Sequence, residues 1–311
     1  MNYHGHLREY STKKEDADVK TDLLDSIREA MPRFSKGQKK IAKYIIDHYD
    51  KAAYMTAVKL GEEVGVSEST VVRFADELGF DGYPALRQTM QNAVRVHLTS
   101  VQRMEITTGR LGERAILDTV LAEDEERIRY TSEHISRESF EQAVNALLSA
   151  RRIYIIGMRS CSALAEFLNF YFSLMFEQVK LVRTTSGSEV FEQLMHISPD
   201  DVMIAISFPR YSTRIINAAD YAVSTGAKLI SITDSASSPI AEKAYAALTA
   251  KSDMASFADS LVAPLSIINA LIAAVAQKKN DEISEKLKKL EEVWDEYNVY
   301  AKSAAAEKKY E

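Results

Sequence analysis

The sequence predicts two domains of different class: an all-α domain, then an α/β domain with a mostly parallel five-stranded sheet between two helical layers. Three observations predict this. From Leu23 to about Val96 the apolar residues recur at helical spacing only. Between Arg151 and Thr249 short apolar runs alternate with helical stretches, the pattern of βαβ units and a parallel sheet covered on both faces. Finally, 311 residues that are 46% hydrophobic suffice for two separate cores.

The elements follow in order. Residues 1–20 carry His4, His6, Lys13, Lys14, Glu15, Asp16 and Asp18 and read as a polar tail with no signal-peptide core. His4-Gly-His6 could chelate a metal, but tails of this composition are ordinarily just solvated, and no metal site is expected. The helical domain is expected over residues 21–98. Leu23, Leu24, Ile27 and Met31 share a helix face, and Pro32 interrupts it. Ser35 can cap a helix whose apolar face is Ile41, Ile45 and Ile46. Two short helices flank Gly65, and another follows Pro84. Residues 99–112, with Thr-Thr-Gly and few apolar side chains, read as a linker. Helix resumes from Glu113 to Ala150, with Ser136 as a cap.

The α/β domain is expected over residues 113–280. Its strands are Arg151–Ile156, Val179–Val182, Val202–Ile206, Leu229–Ile232 and a weaker Ala244–Thr249. The helices between them are Ala163–Phe176, Glu189–Met195, Ile215–Thr225 and Ile240–Ala244. The run Leu261–Ala276 is short for a membrane span and contains Pro264, Ser266 and Asn269, so a buried helix is expected and no membrane partner. Residues 281–311 read as a charged C-terminal helix with Leu287, Leu290 and Trp294 as its stripe. Cys161 is the single cysteine, which excludes an internal disulfide and fits a reducing, cytoplasmic location.

Charge narrows the function classes. The net charge is −6, and residues 21–98 hold eleven Lys/Arg against eleven Asp/Glu. Bulk attraction to nucleic acid is therefore excluded, and any DNA contact must come from a local patch and fitted geometry. The string Thr56–Leu78 supplies such geometry. Gly61 allows close crossing of two helices, Gly65 allows a positive-φ turn, and Val66 plugs the angle between them. Ser67 is placed to cap the second helix, while Leu60, Val64, Val71, Phe74 and Leu78 form a shared core. This is a helix-turn-helix, whose second helix would present Ser67, Glu68, Ser69, Thr70 and Arg73 to the major groove, with Lys59 on the backbone. Lys36, Lys39, Lys40 and Lys43 lie on one face of an earlier helix and are either phosphate contacts or a solvated face.

In open α/β sheets ligands sit beyond the C-terminal strand ends. Three turns there are rich in hydroxyls and lead into helices. They carry Arg159, Ser160 and Ser162 after the first strand, Thr184, Ser186 and Ser188 after the second, and Ser207, Arg210, Ser212 and Thr213 after the third. Free N–H groups, hydroxyls and arginines in such places suit an anion, phosphate above all. Arg210 and Tyr211 either contact a ligand or face a partner subunit. No cofactor is expected.

The strings Phe34-Ser-Lys-Gly-Gln-Lys-Lys-Ile-Ala, Ser67-Glu-Ser-Thr-Val-Val-Arg-Phe and Leu78-Gly-Phe-Asp-Gly-Tyr-Pro-Ala-Leu-Arg87 resemble the RpiR/MurR family of bacterial transcriptional regulators. Ile153-Tyr-Ile-Ile-Gly, Ile204-Ala-Ile-Ser-Phe and Ile230-Ser-Ile-Thr-Asp-Ser resemble its sugar isomerase (SIS) domain. The resemblance implies an effector-controlled regulator, a phosphorylated sugar bound at Ser160, Ser162, Ser207, Ser212 and Thr213, an operator in double-stranded DNA, and a homodimer or higher homo-oligomer. The Pro264–Ala276 helix is either the interface between subunits or a plain core helix. One departure stands out: the SIS pattern after Ser207 has a flexible Ser-Gly-x-Thr, whereas here Phe208-Pro209-Arg210-Tyr211 intervenes before Ser212. Proline stiffens the turn and removes a donor, so Arg210 and Ser212 would have to replace lost contacts. The competing class is an aldose–ketose phosphate isomerase, for which Glu189, then His196, are the available bases. No catalytic set beyond these emerges, and a regulator rather than an enzyme is expected.

Overall fold

A computed structural model of the chain describes residues 23–95, 99–111, 116–183, 189–254 and 256–300. It forms two compact units: residues up to Val120 together with Met254–Asp259, and Leu121–Asp253 together with Ser260 onward.

The first unit is helical. Helix α1 spans residues 23–30 and buries Leu23, Ile27 and Ala30 before a 3-10 turn at Met31–Arg33 containing Pro32. Helix α2 (Lys36–Asp47) starts from a capping box: Ser35 Oγ accepts from the Gln38 N–H, and the Gln38 side chain accepts from the Ser35 N–H. It buries Ile41, Ala42 and Ile45. After the short α3 (Tyr49–Ala52) come α4 (Ala57–Val64), α5 (Glu68–Glu77) and α6 (Gly82–Arg95). Their common core includes Phe34, Leu60, Val71, Phe74, Leu86 and Met90, with the Phe34 and Phe74 rings 5.0 Å apart. Full burial of a side chain such as Phe74 is worth about 2–3 kcal/mol. Tyr83 of α6 donates to the Met55 carbonyl at 3.1 Å, and burial pushes its phenol up to about 12.

Residues 99–112, expected as a linker, are instead helical over Ser100–Leu111 (α7). Thr99 and Gln102 form a reciprocal cap, and among its described side chains the buried ones are polar: Arg103, paired with Asp259 at 2.9 Å, and Thr107, donating to the Arg103 carbonyl. A helix that buries paired polar groups leaves no apolar stripe to read.

The second unit contains α8 (Ile116–His134, shared with the first unit at its start), α9 (Arg137–Ser149, capped by Ser136) and a five-stranded parallel sheet. The strands are β1 (Ile153–Gly157), β2 (Val179–Leu181), β3 (Val202–Ile206), β4 (Lys228–Thr233) and β5 (Ala246–Thr249), in the order β2-β1-β3-β4-β5. Alternation along the strands divides the core. Ile153, Ile155, Ile204, Ile206, Ile230 and Ile232 pack with α9, α10 (Cys161–Met175) and α13 (Val262–Lys278). Tyr154, Ile156, Met203, Ala205 and Leu229 pack with α11 (Glu189–Leu194) and α12 (Thr213–Ser224) on the other face. The three-layer α/β/α fold is therefore present. Strand order reverses at β1/β3, the place where such sheets open a crevice.

Two further expectations are corrected. Ile240–Ala244 is a set of turns, not a helix: Ala241 and Glu242 donate back to the Ser238 carbonyl and Ala244 to that of Ala241, too few residues to extend a helix. The C-terminal helix α14 spans Asn280–Glu296, and its buried residue is Ile283, while Leu287 is exposed. In α13, Pro264, Ile267, Ile268, Leu271 and Val275 all face the core, leaving Asn269, Ala270 and Ala273 outward, so its broad apolar face is used within the unit. His4 and His6 lie outside the described residues. Among the described residues no helix is long and apolar enough to cross a membrane, and no His/Cys/Asp/Glu group could hold a metal.

Candidate nucleic-acid interface and ligand site

The helix-turn-helix is built around two glycines. Gly65 has φ 68°, the left-handed conformation, and follows the last residue of α4. Its N–H donates to the Glu62 carbonyl and the Val66 N–H to that of Gly61, the paired bonds of a Schellman ending. At Gly61 a Cβ would stand 2.8 Å from the Val66 carbonyl oxygen, so only glycine lets the turn fold back on α4. Ser67 sits at the start of α5 with extended backbone, but its hydroxyl makes no cap bond. It is instead shared with the hydroxyls of Ser69 (2.9 Å) and Thr70 (2.8 Å), which corrects the capping expectation. These three hydroxyls form a small polar cluster at the leading end of α5. Glu68 and Arg73 are also exposed, and the Arg73 Nε donates to the Ser69 carbonyl at 3.2 Å, holding the guanidinium along the helix. Lys59 is exposed on α4. The structure therefore brings Ser67, Glu68, Ser69, Thr70 and Arg73 onto one outward end, able to donate to and accept from base edges.

The second site lies at the C-terminal edge of the sheet. Gly157 ends β1, and a Cβ there would meet the Cys161 carbonyl oxygen at 2.4 Å, so the start of α10 presses directly on the strand end. Arg159 follows with φ 58° and Ser160 is right-handed helical, and the Cys161 N–H donates to the Met158 carbonyl at 3.1 Å, closing the turn. Ser162 donates to the Arg159 carbonyl at 2.7 Å. After β3, Arg210 has φ 65°. Arg159 and Arg210 are thus two of only three described non-glycine residues at positive φ, a conformation costing about 1–2 kcal/mol each. Ser212 Oγ lies 3.4 Å from Met158 Sδ, joining the β1 and β3 turns. Tyr211 reaches the other way and donates to Asp234 Oδ1 at 2.8 Å, beside a bond from Thr233 at 3.2 Å. Phe208 is buried in the core, which is where the departure after Ser207 is accommodated.

Arg159, Ser160, Ser162, Arg210, Ser212 and Thr213 thus lie in the two turns that the Ser212–Met158 contact joins. Ser207 is only 2% exposed, with its N–H bonded to the Ile232 carbonyl, so it belongs to the strand end more than to the open turn. Thr184, Ser186 and Ser188 lie outside the described residues. Just before them, the Gln193 side chain accepts from the Arg183 N–H and donates to the Arg183 carbonyl. His196 is elsewhere: its carbonyl accepts from Arg151, at the opposite, N-terminal end of β1. Sequence reading missed Met158, Gln193 and Asp234, whose roles depend on neighbours distant in the chain.

At that N-terminal end the fully buried Asp201 takes two bonds from Arg151 (2.9 and 2.7 Å) and two from Ser198. Burial would raise its carboxyl, but these bonds outweigh it and hold it below the usual carboxylate range.

Comparison with known proteins fits this geometry. Residues 21–95 match a helix-turn-helix domain of the rpiR family, and residues 146–274 match the SIS domain. The chain is a DNA-binding transcriptional regulator that carries an rpiR-family helix-turn-helix domain together with a SIS domain. This regulator is 29% identical to the HTH-type transcriptional regulator YfhH of Escherichia coli over 67% of its length and 73% of that protein. It is 25% identical to HexR of the same species over 88% and 95%. Among solved structures it resembles the sugar isomerase domain of an RpiR transcription factor from Sphaerobacter thermophilus (26% identity, TM-score 0.54, covering 56% of this chain and 97% of that one). The fold is also shared with the Vibrio vulnificus NanR protein complexed with ManNAc-6P (21% identity, TM-score 0.55, covering 90% and 100%).

Proposed function

We propose that this regulator acts in the cytoplasm as a homodimer, reads a two-fold operator through α5 of each subunit, and is controlled by a phosphorylated sugar or sugar derivative at the C-terminal edge of its sheet. Ser67, Glu68, Ser69, Thr70 and Arg73 contact base edges and Lys59 the backbone. Arg159, Ser160, Ser162, Arg210, Ser212 and Thr213 hold the effector, with Thr184, Ser186, Ser188 and Ser207 completing the pocket. The observation that carries the effector reading is the pair of left-handed arginines, Arg159 and Arg210, in turns joined by the Ser212–Met158 contact. Strained backbone persists only where its surroundings enforce it, and both of these arginines stand in turns at the C-terminal edge of the sheet. The ManNAc-6P complex of NanR supports the same ligand class.

Phe208 and Pro209 are buried, which makes the β3 turn stiffer than a glycine turn and selects for one ligand shape. Of the two candidate bases for an isomerase, His196 lies at the far end of β1, away from these turns, whereas Glu189 begins α11; what favours a regulator is the helix-turn-helix unit. The test is a gel shift on the protein's own promoter region with a panel of sugar phosphates. One compound should release or tighten the complex, and Ser207→Ala with Ser212→Ala should remove that response without removing DNA binding. Turnover of a sugar phosphate with no DNA retention would sink the reading.

A further inference from the structure

We propose that the lysine row of α2 is a clamp for DNA phosphates on the flank of the reading helix, a second surface that sets affinity without reading sequence. This rests on the DNA-binding reading above and extends it. Lys36, Lys39, Lys40 and Lys43 are all exposed. At about 100° per residue they share roughly 100° of the helix circumference, opposite the buried Ile41, Ala42 and Ile45. Among the described residues none of the four makes an ion pair or side-chain hydrogen bond, whereas Lys243, Lys251, Lys279, Lys286 and Lys289 of the second unit are all paired with carboxylates.

The row is also aimed. A Cβ on Gly37 would stand 3.2 Å from Thr70 Cγ2 and 3.4 Å from Val66 Cγ1, so the first turn of α2 lies against the turn and the leading end of α5. The Lys40 ammonium is 4.0 Å from the place a Cβ would take on Gly65, at the turn itself. A helix about 10 Å across fills a major groove about 12 Å wide, so an element packed beside its leading end meets the sugar-phosphate wall. Lysine suits that position: its charge is compact, its stem is flexible, and it contacts phosphate oxygens without discriminating bases. In a domain with equal numbers of acidic and basic residues, this unpaired patch is the local source of attraction.

The test measures binding of the full-length protein to a labelled duplex of its own promoter region and to a scrambled duplex of equal length, by fluorescence anisotropy across a salt series. The variant carries Lys36→Gln, Lys39→Gln, Lys40→Gln and Lys43→Gln together, with the pair Lys36→Gln and Lys40→Gln as a milder form. Both duplexes should weaken by similar factors. The slope of log K against log salt should fall by about 0.9 for each lysine engaged, and arginine at the four positions should restore it. Normal wild-type binding with an unchanged slope in both variants would overturn the inference alone, as would a loss confined to the promoter duplex. Wild-type protein that bound neither duplex would overturn the DNA-binding reading and this inference with it.

Discussion

At the scale of single residues, two kinds of constraint meet in this protein. Gly61 and Gly65 are dictated by backbone geometry, while Arg73 and Arg159 are the residues to which the proposed function gives chemical roles. Gly61→Ala would press a methyl to 2.8 Å from the Val66 carbonyl oxygen, a backbone atom that cannot swing away. We expect a loss of about 1–3 kcal/mol in the stability of the helical unit, read as a lower thermal midpoint, with weaker DNA binding in proportion. Arg73→Ala has the opposite signature: no change in melting, but operator affinity lower by about 1–3 kcal/mol and relaxed preference at one base position. Unchanged operator affinity would remove Arg73 from the interface. The hydroxyl cluster of Ser67, Ser69 and Thr70 is satisfied internally in the free protein. It can exchange those bonds for base or phosphate contacts without leaving a buried group unpaired.

At the scale of elements, the ends of helices and strands decide most of the geometry. The Ser35–Gln38 box fixes where α2 begins, and with it the register of the lysine row. Ser35→Ala should cost about 1 kcal/mol, visible in chemical denaturation of the first unit, and should leave the second unit unaltered. The sheet has its own fastening at the N-terminal end of β1 and β3, where Asp201 is tied to Arg151 and Ser198. Because the folded carboxyl is held low, its contribution is present above the unfolded value near 4 and fades as pH falls through the lower folded value. The thermal midpoint of Asp201→Asn should therefore lie below that of the wild type at pH 7, by the equivalent of about 1–2 kcal/mol because the Arg151 left behind stays half-exposed, and the gap should narrow below about pH 4. A gap of constant size down to pH 2 would show that the ion pair is not its source.

At the scale of the whole molecule, the proposed function assigns reading and sensing to the two units, and regulation then requires a ligand that binds two global states unequally. A sugar phosphate at a hundred times its dissociation constant should stabilise the unit that holds it by about 2.7 kcal/mol. That corresponds to a rise of roughly 5 to 10 °C in the corresponding calorimetric transition. The transition of the helical unit should stay in place if the site belongs to the sheet edge. A two-fold operator read by two heads implies half-sites about 34 Å apart, and removing one half-site should cost most of the affinity. Retention of full affinity on a half-site would argue for a single head acting alone.

The sequence by itself determined the class of both units, the five strands and the helix-turn-helix, because these rest on local periodicity and on turn residues such as Gly65 that act within a few positions. It also pointed to the turns after β1 and β3, since a hydroxyl-rich stretch between a strand and a helix is visible in the chain order. Tertiary structure alone decided the rest. α7 escaped notice because it buries Arg103 and Thr107 with polar partners, one of them 156 positions away. Ile240–Ala244 looked helical from its apolar content but is held as turns by Ser238. The pairing of Ser212 with Met158, of Tyr211 with Asp234 and of Gly37 with Thr70 depends on which elements are neighbours in space. Local pattern specifies each element's inner face. What stands beside its ends is set only when the elements pack, and both sites are made there.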